Sequence, residues 1–222
     1  MLKNKKTLVA LIVIILIALI VLTLCIAMNN KYSRDSITDL VKNSTISNNI
    51  YIENNMYENN SYVGVAKFYI KDNMEYIYQE NKNQEKIETY INNESNISTT
   101  VLHSEKIITQ TNNNYTDFNS VLQPLKDTLL NELNDSLQYQ YKYCGKELVN
   151  EINCIKISLT NNENNENYNY YIDETTGYIV QYENESSKNK EIYKYELNSV
   201  TDEQIKVFNL DDYSDYTFVN SI

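Results

Sequence analysis

His103 is the only histidine in the 222 residues, so any scheme that needs an imidazole acid, base or ligand must use it. It stands in "TTVLHSEKI" (99–107), a strand-like stretch with no nucleophile signature, and reads as an ordinary surface or edge-strand histidine. Cys144 and Cys154 have no histidine near them and form no CxxC, which argues against zinc. Asp211, Asp212 and Asp215 lack the alternating ligands and the glycine of an EF-hand loop. Gly64, Gly145 and Gly177 are the only glycines, so no Gly-rich phosphate loop can be built. Carboxylate pairs occur everywhere in so acidic a chain and single out no glycosidase-like pair. The sequence therefore offers no catalytic constellation and no cofactor or metal site.

What it has in excess is tyrosine: 21, beside four phenylalanines and no tryptophan. Many stand on alternate positions. In "LQYQYKYCGKELV", Tyr139, Tyr141 and Tyr143 share one face of a strand, opposite Gln138, Gln140 and Lys142. In "EIYKYELNSV", Tyr193, Tyr195 and Leu197 oppose Ile192, Lys194 and Glu196. A tyrosine ring buries a large area but keeps a hydroxyl that needs a partner, so such faces suit either a core or the wall of an amphipathic ligand cavity. If a cavity exists, Tyr139, Tyr141, Tyr143, Tyr193 and Tyr195 would line it together with Phe118, Leu122, Leu125 and Leu129. Arg34 is the only arginine and Pro124 the only proline, the mark of AT-rich coding, which accounts for part of the tyrosine count.

The elements that position these residues are legible from periodicity. Ser36 and Asp39 have the spacing of a helix start, followed by Ile37, Leu40 and Val41 on one face. From Asn49 to about Gln110, short β-prone runs separated by polar breaks predict antiparallel hairpins. "DFNSVLQPLKDTLLNELND" (117–135) carries one apolar stripe, so a helix is predicted to lie against the sheet, kinked at Pro124 or beginning there. The last third returns to strands. Tyr178, Val180 and Tyr182 are expected on one face after an Asp173-to-Gly177 turn, and the acidic tail "NLDDYSDYTFVNSI" is expected to be irregular. A Cys144–Cys154 disulfide is open to an exported domain. A two-residue turn at Asn150 and Glu151 would oppose it by pairing Cys144 with Ile157 and Cys154 with Glu147, unless a bulge shifts the register.

The N-terminus predicts the address. Lys3, Lys5 and Lys6 precede an uncharged run from Thr7 to Met28. Its 22 residues would span roughly 33 Å as a helix, enough for a hydrocarbon core of about 30 Å. Residues 1–6 then form a cytoplasmic tail, 7–28 a signal anchor and 29–222 an extracytoplasmic domain on a single-pass cell-membrane protein. A cleaved signal peptide fits less well, because its apolar region is typically ~7–15 residues and Cys25-Ile26-Ala27 only poorly imitates a small-x-small exit. A lipidated Cys25 fits less well, because Leu24 stands where a small residue should precede it. All 30 acidic residues lie outside, against 16 basic ones, giving −14 and making nucleic acid a poor partner.

Three segments carry a family resemblance: "YKYCGKELVNEINCIKISL", "YYIDETTGYIVQYE" and "YKYELNSVTDEQIKVFNLDDY". They resemble the LolA-like superfamily of lipoprotein carriers, with its relatives among sigma-factor regulators and mycobacterial lipid-carrying lipoproteins. Tyr171, Ile172, Asp173, Thr176 and Gly177 match its Tyr-Ile-Asp-x-x-Thr-Gly hairpin, whereas Glu151 stands where a glycine is common. The resemblance implies an α+β fold, an antiparallel half-barrel with two packed helices. It also implies non-enzymatic binding of a lipid, acyl chain or lipoprotein in the concave face. The alternative is an envelope sensor or assembly partner that binds another protein and fills its barrel with its own side chains. An anchor makes a soluble shuttle between two membranes a poor fit.

Overall fold

The computed structural model describes residues 14–21, 32–45, 47–112 and 122–220. Residues 14–21 are helical, and the rest of the expected anchor lies outside the described residues, as does Phe118. Among the described residues no helix is long and apolar enough to cross a membrane.

The domain is mostly β. Helix α1 (Arg34–Lys42) leads into six strands: β1 (Asn49–Glu58), β2 (Ser61–Lys71), β3 (Met74–Asn81), β4 (Lys86–Asn92), β5 (Ile97–Leu102) and β6 (Ile107–Asn112). Helix α2 (Leu122–Asn134) follows, then β7 (Tyr139–Val149), β8 (Ile152–Asn161), β9 (Asn167–Asp173), β10 (Ile179–Asn184) and β11 (Asn189–Leu197). A 3₁₀ turn (Leu210–Tyr213) and a short β12 (Thr217–Asn220) end it. The strands form one open 12-stranded sheet in the order β12-β6-β5-β4-β3-β2-β1-β11-β10-β9-β8-β7. Strand β1 joins the two halves of the sheet, pairing with both β2 and β11.

Helix α1 begins earlier than the Ser36–Asp39 spacing predicts. Ser33 is its cap, and its Oγ accepts from the Ser36 amide at 3.2 Å. That start puts Asp35 in the first turn and Lys42 in the last, both favourable to the helix dipole. In α2, Pro124 sits in the first described turn, where a missing amide costs little.

Both helices lie on one face of the sheet, its inner face. Ile37 and Val41 of α1 and Leu129 and Leu133 of α2 are buried with Ile155, Ile157, Leu159, Tyr170 and Ile172. Leu122 meets Ile50, Ile52, Phe68, Ile77 and Ile91 further along the same face.

Two local expectations are corrected. Val180 does not share a face with Tyr182: the register shifts between Ile179 and Gln181, and Val180 turns to the outer face with Cys154 and Tyr171. The tail is not wholly irregular, because β12 pairs in parallel with β6. The two domain cysteines are free, Cys144 exposed and Cys154 buried. The turn at Asn150 and Glu151 has positive φ at both residues (48° and 67°) and sets Cys154 opposite Glu147. Cys144 is the extra residue of a bulge between Tyr143 and Gly145, so the bulge leaves the two thiols apart.

Candidate functional site

The expected ligand wall is assembled, but against the protein's own helices. Tyr139, Tyr141 and Tyr143 of β7 pack on the α1–α2 cluster. The Tyr141 hydroxyl donates to the Tyr32 carbonyl at 2.5 Å, and Tyr143 stacks on the Tyr32 ring with centroids 4.6 Å apart. Burial pushes the Tyr141 phenol up to about 12. Tyr193 donates to Glu191 and Tyr195 to the carbonyl of Ile179, each at 2.5 Å. Leu122 and Leu129 are buried, and Leu125 touches both inner clusters. Tyr170 is buried beneath α2, where its hydroxyl donates to Glu132 at 2.7 Å.

A cavity of about 20 Å³ lies between α1, α2 and the Gly177 turn, lined by Val41, Ser44, Leu122, Leu125, Gly177 and Tyr178 among others. That volume holds about one water. Tyr141, Tyr170, Tyr193 and Tyr195 therefore spend their rings on the core and their hydroxyls on fixed acceptors.

A second constellation, which the sequence did not reveal, lies on the outer face. Glu88 of β4 is 8% exposed and sits under the C-terminal tail. Tyr76 donates to its Oε1, Lys206 reaches the same oxygen at 3.2 Å, and Tyr213 donates to Oε2 at 3.1 Å. The His103 Nε2 stands 2.9 Å from Oε2, while its Nδ1 contacts the Tyr216 hydroxyl at 2.9 Å. Burial opposes ionisation of Glu88, but hydrogen bonds from Tyr76, His103 and Lys206 outweigh it and hold the carboxyl down to about 2.

Around this carboxylate runs a ladder of rings. Tyr51, Tyr69, Tyr76 and Tyr90 step across β1 to β4 at centroid spacings of 5.0, 5.7 and 5.3 Å. Phe208 continues it from the tail at 5.7 Å from Tyr90, and Tyr213 stacks on Phe208 at 5.7 Å. Beside the ladder opens a groove of about 470 Å³, lined by Lys67, Tyr69, Tyr76, Tyr78 and Glu80 from the sheet and by Glu203, Gln204 and Lys206 from the tail.

His103 thus serves as a clasp between β4 and the tail. The arrangement of Tyr216, His103 and Glu88 has the order of a relay, but its hydroxyl, ring and carboxylate are all committed to holding the tail. Among the described residues no group of three or more His, Cys, Asp or Glu could hold a metal ion. The only trace of this cluster in the sequence is the parity of Tyr69, Tyr76, Glu88 and Tyr90, which becomes visible once the strand register is known.

No protein-family model and no curated protein matches the chain. Solved structures do. MucB is 9% identical, with 79% of this chain and 62% of MucB covered at a TM-score of 0.49. The chain therefore spans less than two thirds of that protein's length; MucB has also been solved in complex with MucA(peri). An uncharacterized conserved protein from Thermus thermophilus is 12% identical, with 84% of this chain and 98% of that one covered at a TM-score of 0.47. A LolA superfamily protein from Nitrosomonas europaea is 9% identical, covering 79% and 98% at a TM-score of 0.30.

Proposed function

We propose that the chain is a single-pass, extracytoplasmic membrane protein that acts without catalysis by binding another protein, its inner face being filled by its own helices. The observation that carries this reading is the remnant of about 20 Å³ beneath α1 and α2. Ligand pockets for drug-sized molecules usually hold about 300–1,000 Å³, so this cavity takes no acyl chain unless the helices leave. Their leaving would expose Leu129 and Leu133, which are 0% and 1% exposed.

The anchor is supported by the lysine-flanked run from Thr7 to Met28 and by the apolar helix at 14–21. Its Ile14, Ile15, Leu16, Ile17, Leu19, Ile20 and Val21 are 50–62% exposed, on all sides of the helix. An all-round apolar surface of that kind calls for lipid or a partner. The docking surface is the outer edge of β7, the strand that ends the sheet, beyond Tyr139, whose amide and carbonyl are already taken by Asp135 and Arg34; an added strand would pair there.

Photo-reactive fatty acid fed to cells expressing the full chain tests both parts. Labelling confined to residues 7–28, together with a protein cross-linked reproducibly through a photo-reactive residue at Gln140, is the expected result. Lipid adducts on Tyr139–Tyr143 or Tyr193–Tyr195 would replace the reading with lipid carriage.

A further inference from the structure

We propose that the outer groove between β2–β3 and the C-terminal tail is a binding site for a neutral, hydroxyl-rich oligosaccharide. Its volume of about 470 Å³ is that of an ordinary small-molecule pocket. The chemistry of its lining selects the ligand. Three tyrosines, two lysines, two glutamates and one glutamine form it, and no aliphatic side chain does, so the apolar side chain of a peptide finds no hole there. Strands β2 and β3 are hydrogen-bonded on both edges, which leaves an incoming peptide no main chain to pair with.

Charge narrows the choice further. Lys67 and Lys206 balance Glu80 and Glu203 within the groove, so it draws in neither a polyanion nor a polycation. What these groups do supply, in close alternation, is hydrogen-bond donors and acceptors suited to hydroxyls.

Tyr78 supplies the platform. Tyr69 and Tyr76 stack on each other, and Lys206 sits 4.7 Å from the Tyr76 ring centroid. Tyr78, half-buried, has no ring partner among the described residues, while its hydroxyl is tethered to Glu80 at 2.5 Å. A sugar ring laid on that face would share the groove with Glu80 and with the tail residues Glu203 and Gln204. Tyr76 and Lys206 also bind Glu88, so the wall that meets the ligand is the one the buried carboxylate holds in place.

The test is saturation-transfer NMR on the full chain in lipid nanodiscs, with cellotetraose, maltotetraose and N-acetylchitotetraose as probes and a mixed hexapeptide pool alongside. Transfer to at least one saccharide is expected, with binding about tenfold weaker in Tyr78→Ala, near wild type in Tyr78→Phe, and reduced in Glu203→Ala on the exposed tail. Thermal melts of each variant separate a lost site from a lost fold, and Glu203→Ala still reads the groove if Tyr78→Ala fails to fold. Transfer to no saccharide, transfer to the peptides alone, or saccharide binding unchanged in both Tyr78→Ala and Glu203→Ala overturns the proposal. Each of those outcomes leaves the anchor and the β7 edge untouched, since neither borders the groove.

Discussion

A Cβ added to Gly177 would stand 2.5 Å from the carbonyl oxygen of Leu40. The hairpin turn and the end of α1 are thus in backbone contact, and only a residue without a side chain fits between them. Gly177 also has φ of +75°, its amide closes the turn on the Asp173 carbonyl at 2.9 Å, and Asp173 Oδ1 takes the Thr175 amide at 2.8 Å. Gly177→Ala combines a left-handed residue with an overpacked contact, so a loss of about 2–4 kcal/mol is expected in urea unfolding. A loss below about 0.5 kcal/mol would show that α1 is free to move away from the turn.

Glu88 sets the acid limit of the outer face. Its folded carboxyl is held down to about 2 from an ordinary 4.5, so its contribution is fully present above about 4.5 and is lost as pH falls toward 2. That contribution is on the order of 2 kcal/mol once partial solvent screening is allowed for. Glu88→Gln should be less stable than wild type at pH 7 and should converge with it in that acid window, as read by denaturation at stepped pH. A constant gap from pH 7 down to pH 2 would mean that the loss is one of packing rather than charge.

The strand pattern and both helices could be read from the sequence because each depends on local rules: period two, period 3.6, and the Asp-to-Gly turn. The Asn150–Glu151 turn could also be read, and its φ of 67° at Glu151 shows why a glycine would suit that place. What local rules could not supply was register and occupancy. The Val180 bulge inverts one strand face with no sequence mark, and Ser33 rather than Ser36 caps α1. Alternating tyrosines look the same whether they face ligand, helix or tail. Tyr141 proved to face α1, while Tyr90 faces the tail, a pairing of residues more than a hundred positions apart that no spacing rule reaches.

The two domain thiols should differ sharply in reactivity. Cys144 is exposed on the β7 bulge, whereas Cys154 is buried, and that burial pushes its thiol up to about 12. In a Cys25→Ser background, a maleimide at neutral pH should add once to the folded protein and twice after unfolding, by intact mass. Two additions to the folded chain would place Cys154 outside the core. No addition without reductant would restore a disulfide.

Tyr170→Phe predicts a pH dependence of opposite sign to that of Glu88. Burial raises the Glu132 carboxyl above its ordinary value, even though the hydrogen bond from Tyr170 works to lower it. A carboxyl whose folded value lies above its unfolded one costs stability at neutral pH, and that cost is relieved as pH falls through the raised folded value toward 4.5. Removing the Tyr170 hydroxyl takes away the group that restrains the shift and leaves a buried carboxylate short of a donor. The variant should therefore lose about 1–3 kcal/mol at pH 7 and recover part of it on acidification, the direction in which wild type loses the Glu88 contribution. Unfolding midpoints at pH 7 and pH 5 decide the matter: a deficit that is equal at both values would mean that Glu132 finds another donor when Tyr170 is gone.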